Sequence, residues 1–166
     1  QRKLKSGDIV SVDVGVLKSG YYGDSAYTFP VGEVSNKKQK LMKVTEESLY
    51  KGISKAIAGN VINDISVAVQ THVEGSGYGV VRDLVGHGIG KNLHEEPAVP
   101  NFYSPASNSK LKAGMTIAIE PMVNYGDYAV KTLSDGWTIV TQDGEPSAHY
   151  EHTILITDGE PEVLTK

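Results

Sequence analysis

Cysteine is absent from the 166-residue sequence, so neither a disulfide framework nor a thiolate metal site exists, and any metal must rest on His, Asp and Glu. Ligands of that kind favour the harder divalent ions. Basic runs are missing too. No stretch of Lys or Arg exceeds two residues, as at Lys37 and Lys38, and the formal net charge is −4 with a pI near 5.7. A phosphate backbone finds no electrostatic footprint here, so nucleic acid is not expected as a partner. Nor does any apolar run approach the roughly 18 residues of a membrane helix, and the opening QRKLKSGDIV does not read as a signal peptide. No membrane partner and a cytoplasmic location are the expectations. What remains, 39% hydrophobic and 22% charged residues, suits one compact domain with a sizeable core.

The chain repeats itself. LKSGDIVSVDVGV at 4–16 matches LKAGMTIAIEPMV at 111–123, which sets Asp13 against Glu120. DSAYTFPVGE, beginning at Asp24, and EHTILITDGE, beginning at Glu151, both reach a Gly-Glu pair at their ends. Asp24 therefore corresponds to Glu151. Val10, Val12, Val14 and Val16 alternate with Ile9, Ser11, Asp13 and Gly15, a period of two that predicts a strand with its acid opposite the valines. In the second copy Ile117, Ile119 and Val123 share one face and Thr116, Ala118, Glu120 and Met122 the other. The segments 24–33 and 151–160 read as returning strands. Two sheet units, each carrying two acids, are expected to face one another.

Helical material lies between the repeats. Met42, Leu49, Ile53 and Ile57 recur at spacings of seven, four and four, predicting an amphipathic helix from Lys38 to Ala58. A second helix is expected from Asn63 or Asp64, either serving as its cap, through Ile65, Val69 and Val73 to Gly75. The second copy is preceded by this long stretch and the first begins almost at residue 1, so a comparable segment is expected to have stood upstream. The chain is expected to be part of a longer protein. One domain is anticipated, with 1–36 the terminal strands of its N-terminal half and 37–166 its C-terminal half.

Strand interiors ordinarily avoid Asp and Glu, and buried acids in a cluster repel one another unless cations join them. Asp13, Asp24, Glu120 and Glu151 at repeat-equivalent positions therefore point to a two-metal site. His87 sits in GHGIG, where flanking glycines leave an imidazole accessible to an ion. The glycines are not read as a dinucleotide loop, because they open no periodic helix after a strand. His94, on its own, reads as structural or surface. His72, on the second predicted helix, and His149 and His152, flanking the Glu151 strand, receive no metal role.

The segments VDVGVLKSGYYGDSAYTF, GHGIGKNLHEEP, AGMTIAIEPMV and KTLSDGWTIVTQDGEPSAHYEHTILIT resemble the successive signature stretches of type I methionine aminopeptidases, and together they span almost the whole chain. The resemblance implies an α+β pita-bread fold whose halves are related by a pseudo-two-fold repeat, most of the N-terminal half lying outside this sequence. It also implies removal of the N-terminal methionine from nascent polypeptides by a water activated at two divalent ions, of Mn, Fe, Co or Zn. Carried over position by position, Asp13 holds one metal, His87 and Glu120 hold the other, and Asp24 and Glu151 bridge both. Glu120 passes the water proton to the leaving amine, and His94 contacts the substrate near the scissile bond. Trp137, otherwise read as core, matches a tryptophan near the methionine side-chain pocket.

Some family features are not met here. A further substrate-contacting histidine belongs, by resemblance, to sequence upstream of Gln1, and Leu93 stands where relatives often carry an aromatic residue. Two rival readings are a sister peptidase of the aminopeptidase P or prolidase type and a non-catalytic pita-bread binding module. KTLSDGWTIVTQDG resembles the methionine enzymes, and no ligand is lost as a binding module would lose it. Proximity to ribosomes is possible for the family, but no basic patch supports it.

Overall fold

Ser19 and Gly20 both hold positive φ, 53° and 83°, the handedness that a two-residue hairpin turn requires. They fold β1, Ile9–Lys18, back on β2, Tyr21–Pro30, with Ile9 opposite Pro30 and Lys18 opposite Tyr21. The computed structural model describes residues 3–166. Helix α1, Asn36–Ile53, starts where the Ser35 hydroxyl accepts the Lys38 N–H, a side-chain cap for one of the unpaired first-turn donors. It ends five residues before the expected Ala58. Ala56 is nonetheless buried, and Ile57 bridges to Thr157, so loop residues prolong the apolar period by packing into the same core.

Helix α2 runs Ile62–Gly75, with Val61 at its cap position. Asn63 and Asp64 lie inside it rather than capping it. Asp64 reaches back to accept the Val61 N–H at 2.8 Å, and Asn63 donates its amide to the Ser104 carbonyl at 2.9 Å. Short strands follow: β3 (Gly79–Val80), β4 (Gly86–Gly88), β5 (Glu95–Val99), β6 (Thr116–Ile119), β7 (Met122–Asn124), β8 (Val130–Thr132), β9 (Ile139–Thr141), β10 (Ser147–His149), β11 (Glu151–Leu155) and β12 (Glu162–Val163).

The main sheet has the order β1-β2-β11-β6-β4-β5, with β12 paired to β11. The repeat is visible in that order. Its first copy supplies β1 and β2, its second supplies β6 and β11, and the two pairs stand in mirrored places about the antiparallel β2–β11 junction. A two-fold relation requires that arrangement. The second copy departs from the first after Ile119, because Pro121 has no N–H to give a ladder. There β6 ends, and β7 joins β10 and β3 in a separate sheet, so the expected single strand over 116–123 is two strands in two sheets.

Ile117, Ile119, Ile154 and Ile156 are fully buried, together with Leu41 and Leu49 of α1 and Ile65 and Val69 of α2. Each such side chain contributes about 1.5–3 kcal/mol on leaving water. A Cβ on Gly52 would stand 2.8 Å from Val69 Cγ2 and 3.4 Å from Ile119 Cγ2, so glycine at that point lets α1 settle against both α2 and the sheet. The helices cover only part of this face. On β1 and β2 the same face carries Val12, Val14, Val16, Tyr27 and Phe29, all exposed. The alternation read from the valines is real, and among the described residues their face is uncovered.

Candidate metal centre

The opposite face of the sheet collects the acids, and the strand register explains how. Asp13 pairs with Ala26, and Ala26 with Glu151. One step beyond the His152–Ile119 pair, the same ladder brings Glu120 beside Glu151. A neighbouring row begins with Gly15 opposite Asp24 and continues with Thr153 opposite Ala118. Asp24 and Thr153 are joined twice: the Asp24 N–H donates to Thr153 Oγ1 and the Thr153 hydroxyl donates to the Asp24 carbonyl, both at 2.9 Å. His87 precedes Gly88, which pairs with Ile117, and so falls beside Ala118. Residues two apart on a strand share a face. Asp13, Asp24, His87, Glu120 and Glu151 therefore stand in two adjacent rows on one side, interspersed with Gly15, Ala26 and Ala118, whose small size leaves space over the sheet.

These five residues line one cavity of about 710 Å³, together with His94 and His149. Its inner geometry is close. His87 Nε2 lies 3.4 Å from Glu120 Oε1 and 3.9 Å from Asp24 Oδ2. Asp24, His87 and Glu151 each offer a ligand atom within 4.8 Å of the others. His94 packs edge-on against His87, ring centroids 4.4 Å apart, and is an exposed residue at the cavity wall. Leu93 reaches over Gly15, where an added Cβ would meet Leu93 Cδ1 at 3.2 Å. Asn101, buried, donates to the Glu120 carbonyl at 3.1 Å and fixes the backbone at the acid.

Burial raises the Glu120 carboxyl to about 8, helped by the charges of Asp13 and Asp24. It raises Glu151 to about 9, with Glu120, Asp24 and Asp13 adding to the effect. Asp24 is raised as well, first by burial and then by Asp13. His149 moves the other way, to about 4, because burial disfavours its cation. His87 Nδ1 lies 2.9 Å from the Gly88 carbonyl. A carbonyl only accepts, so this bond assigns the ring proton to Nδ1 and leaves the Nε2 lone pair facing the acids. Glu151 Oε1 and His149 Nε2 are buried without a hydrogen-bond partner.

Ligand atoms of nitrogen and oxygen thus converge, and the acids hold protons they would shed for a cation. The donor set, carboxylates with one free imidazole nitrogen, suits a divalent ion of the Mn-to-Zn range. The residues present fit a metal.

His149 was not foreseen. It stands two residues before Glu151, but on β10, in a different sheet from β11, so no strand alternation in SAHYEHT announces it. Trp137 is placed elsewhere. It is 87% exposed on the turn between β8 and β9, outside the cavity lining and outside the core. Asp135 holds that turn, its carboxylate accepting the Trp137 and Thr138 N–H groups at 3.0 and 2.8 Å.

Comparison with known proteins gives the family. The model of metallopeptidase family M24 matches residues 1–158. A methionine aminopeptidase of Clostridium acetobutylicum is 57% identical over 164 residues, covering 99% of this chain and 66% of that protein. Methionine aminopeptidase 1 of Bacillus subtilis is 53% identical over 165 residues, again with 66% of its length covered. The chain thus spans slightly under two thirds of these curated relatives. The crystal structure of methionine aminopeptidase from Thermotoga maritima superposes with a TM-score of 0.94 at 51% identity, over 98% of this chain and 65% of that one. Prolidase from Pyrococcus furiosus gives 0.78 at 25% identity, over 99% and 43%. The fold is the expected pita-bread fold with its internal two-fold, and on the match over residues 1–158 the chain belongs to metallopeptidase family M24.

Proposed function

We propose that the protein hydrolyses the first peptide bond of polypeptides that begin with methionine, acting on peptide or nascent-chain substrates in the cytoplasm. The observation that carries the reading is the double row of acids and His87 on one sheet face, in a chain 57% identical to a methionine aminopeptidase. Asp13, Asp24, His87, Glu120 and Glu151 would hold two divalent ions of Mn, Fe, Co or Zn, with Asp24 and Glu151, in the middle of the rows, shared between them. When bound, such ions supply Lewis acidity that brings the pKa of water down toward about 7.

The chain's own groups supply the rest. Glu120, partly buried and with its backbone fixed by Asn101, accepts the proton of the attacking water and delivers it to the leaving amine. His94, stacked edge-on against His87, donates a hydrogen bond to the oxygen of the carbonyl under attack. Residues 1–36 and 37–166 act as two parts of one catalytic domain, because β2 and β11 are hydrogen-bonded in one sheet and the shared acids lie on those two strands. Among the described residues no helix is long and apolar enough to cross a membrane.

The prolidase reading has the same fold behind it, and the identities, 25% against 57%, favour methionine. Release of methionine from Met-Ala-Ser, measured with added Mn²⁺ beside an Xaa-Pro dipeptide, tests the choice. Methionine release is expected; cleavage of the proline substrate alone, or of neither by the Mn²⁺-loaded protein, would defeat it.

A further inference from the structure

The carboxylate of Glu120 lies between two imidazoles, one to each oxygen. Oε1 faces His87 Nε2 at 3.4 Å, and Oε2 faces His149 Nε2 at 3.8 Å. His87 is already accounted for as a ligand. His149 is not, and its Nε2 is buried with no partner of its own. We propose that His149 is a positioning residue for Glu120, its Nε2–H holding Oε2 so that Oε1 is the oxygen presented to the reacting side; the proposal rests on the metallopeptidase reading above.

Both partners are anchored in ways that fix the approach. The His149 backbone is clamped to β2, its N–H donating to Thr28 Oγ1 at 2.9 Å and its carbonyl accepting the Thr28 hydroxyl at 2.7 Å. On its other edge it pairs with Met122, two residues after Glu120. Glu120 itself is held through its carbonyl by Asn101. Shortening the contact by about 0.6 Å, within the reach of carboxylate rotation, brings it to hydrogen-bond length. An unpaired buried ring nitrogen is costly, and this acceptor relieves it. A carboxylate that both binds a cation and carries a proton works only if its two oxygens have separate duties, and outer groups that donate to ligand carboxylates commonly set them.

The test compares His149→Ala and His149→Gln in the intact protein, by calorimetric titration with Mn²⁺ and by kcat and KM for Met-Ala-Ser, with near-UV circular dichroism confirming the fold. Gln keeps an N–H donor of similar reach and loses the imidazole. His149→Ala is expected to weaken Mn²⁺ binding by about tenfold and to lower kcat by about tenfold at nearly constant KM, with His149→Gln within about threefold of the parent protein in both. The proposal is overturned if Ala changes neither quantity, or if Gln falls as far as Ala, which would make the ring itself a ligand or a packing element. Asp24→Asn probes the underlying reading separately. Mn²⁺ binding that survives it would remove the metal site, and with it the duty assigned to His149.

Discussion

Glu151 stands beside Glu120 across the β11–β6 ladder, one step past the paired His152 and Ile119, and the two carboxyls retain their protons to about 9 and about 8. Retained protons at neutral pH are a form of stored readiness for a cation. They also tie the stability of the metal-free protein to pH.

For both acids the folded value lies above the ordinary 4.5. Their stabilising contribution is whole below pH 4.5 and is lost as pH rises toward 8 and 9. His149, lowered from 6.5 to about 4, works in the opposite sense: its contribution is present above 6.5 and lost as pH falls toward 4. Below pH 6.5 the effects oppose one another, and above it only the acids act. The melting temperature of the protein in a chelator should therefore fall between pH 7 and pH 9. Scanning calorimetry would show it, and a flat profile over that interval would count against the buried acids.

Binding of Mn²⁺ at pH 7 should expel protons from Glu120 and Glu151, on the order of one or two per chain. Titration in buffers of different ionisation enthalpy reads that number directly. At pH 9.5 the release should nearly vanish, since the acids are already ionised. An unchanged release would place the protons elsewhere.

Replacing Glu151 by Gln removes a proposed ligand from the middle of its row and keeps its volume. Saturating Mn²⁺ at about one hundred times its dissociation constant should stabilise the parent protein by about 2.7 kcal/mol, and the Glu151→Gln variant by far less. Urea unfolding with and without the ion checks this, and equal stabilisation of the two proteins would exclude Glu151 from the site.

His94 is expected to matter to the chemical step and little to the metals, because it meets His87 through its ring edge rather than through an acid. His94→Ala should lower kcat by about 10²–10³-fold, the scale of a lost oxyanion donor, with Mn²⁺ affinity within about threefold. Loss of metal binding in this variant would reassign His94 to the ligand shell.

Much of this site was legible beforehand because strands repeat with period two. Asp13 among its valines and Glu120 among its isoleucines announce both a strand and the odd face of that strand, and the internal repeat joins them to Asp24 and Glu151. Helix α1 was legible for the same reason at period 3.6, though its end was not. Ala56 and Ile57 pack as the helix does without being in it. Other features depend on contacts between distant segments. The division of 116–123 between two sheets turns on Pro121, and His149 enters the cavity through the β10–β7 pairing. The start of α2 has a local cause instead, Asp64 bonding back to Val61 three residues earlier. Trp137, which the resemblance sets near the methionine side-chain pocket, is exposed in this hairpin, where Asp135 satisfies the turn.

The junction between β2 and β11 joins residues very far apart in the chain. The two hydrogen bonds between Asp24 and Thr153 span 129 positions, so little of this seam forms before the whole stretch between them is in place. Loop closure on that scale makes its pairing a late and slow event in folding. An ion shared by Asp24 and Glu151 would then act as a rivet across the last-closed seam. It would slow the opening of the molecule far more than it hastened its assembly, lengthening the lifetime of the folded chain under heat or protease.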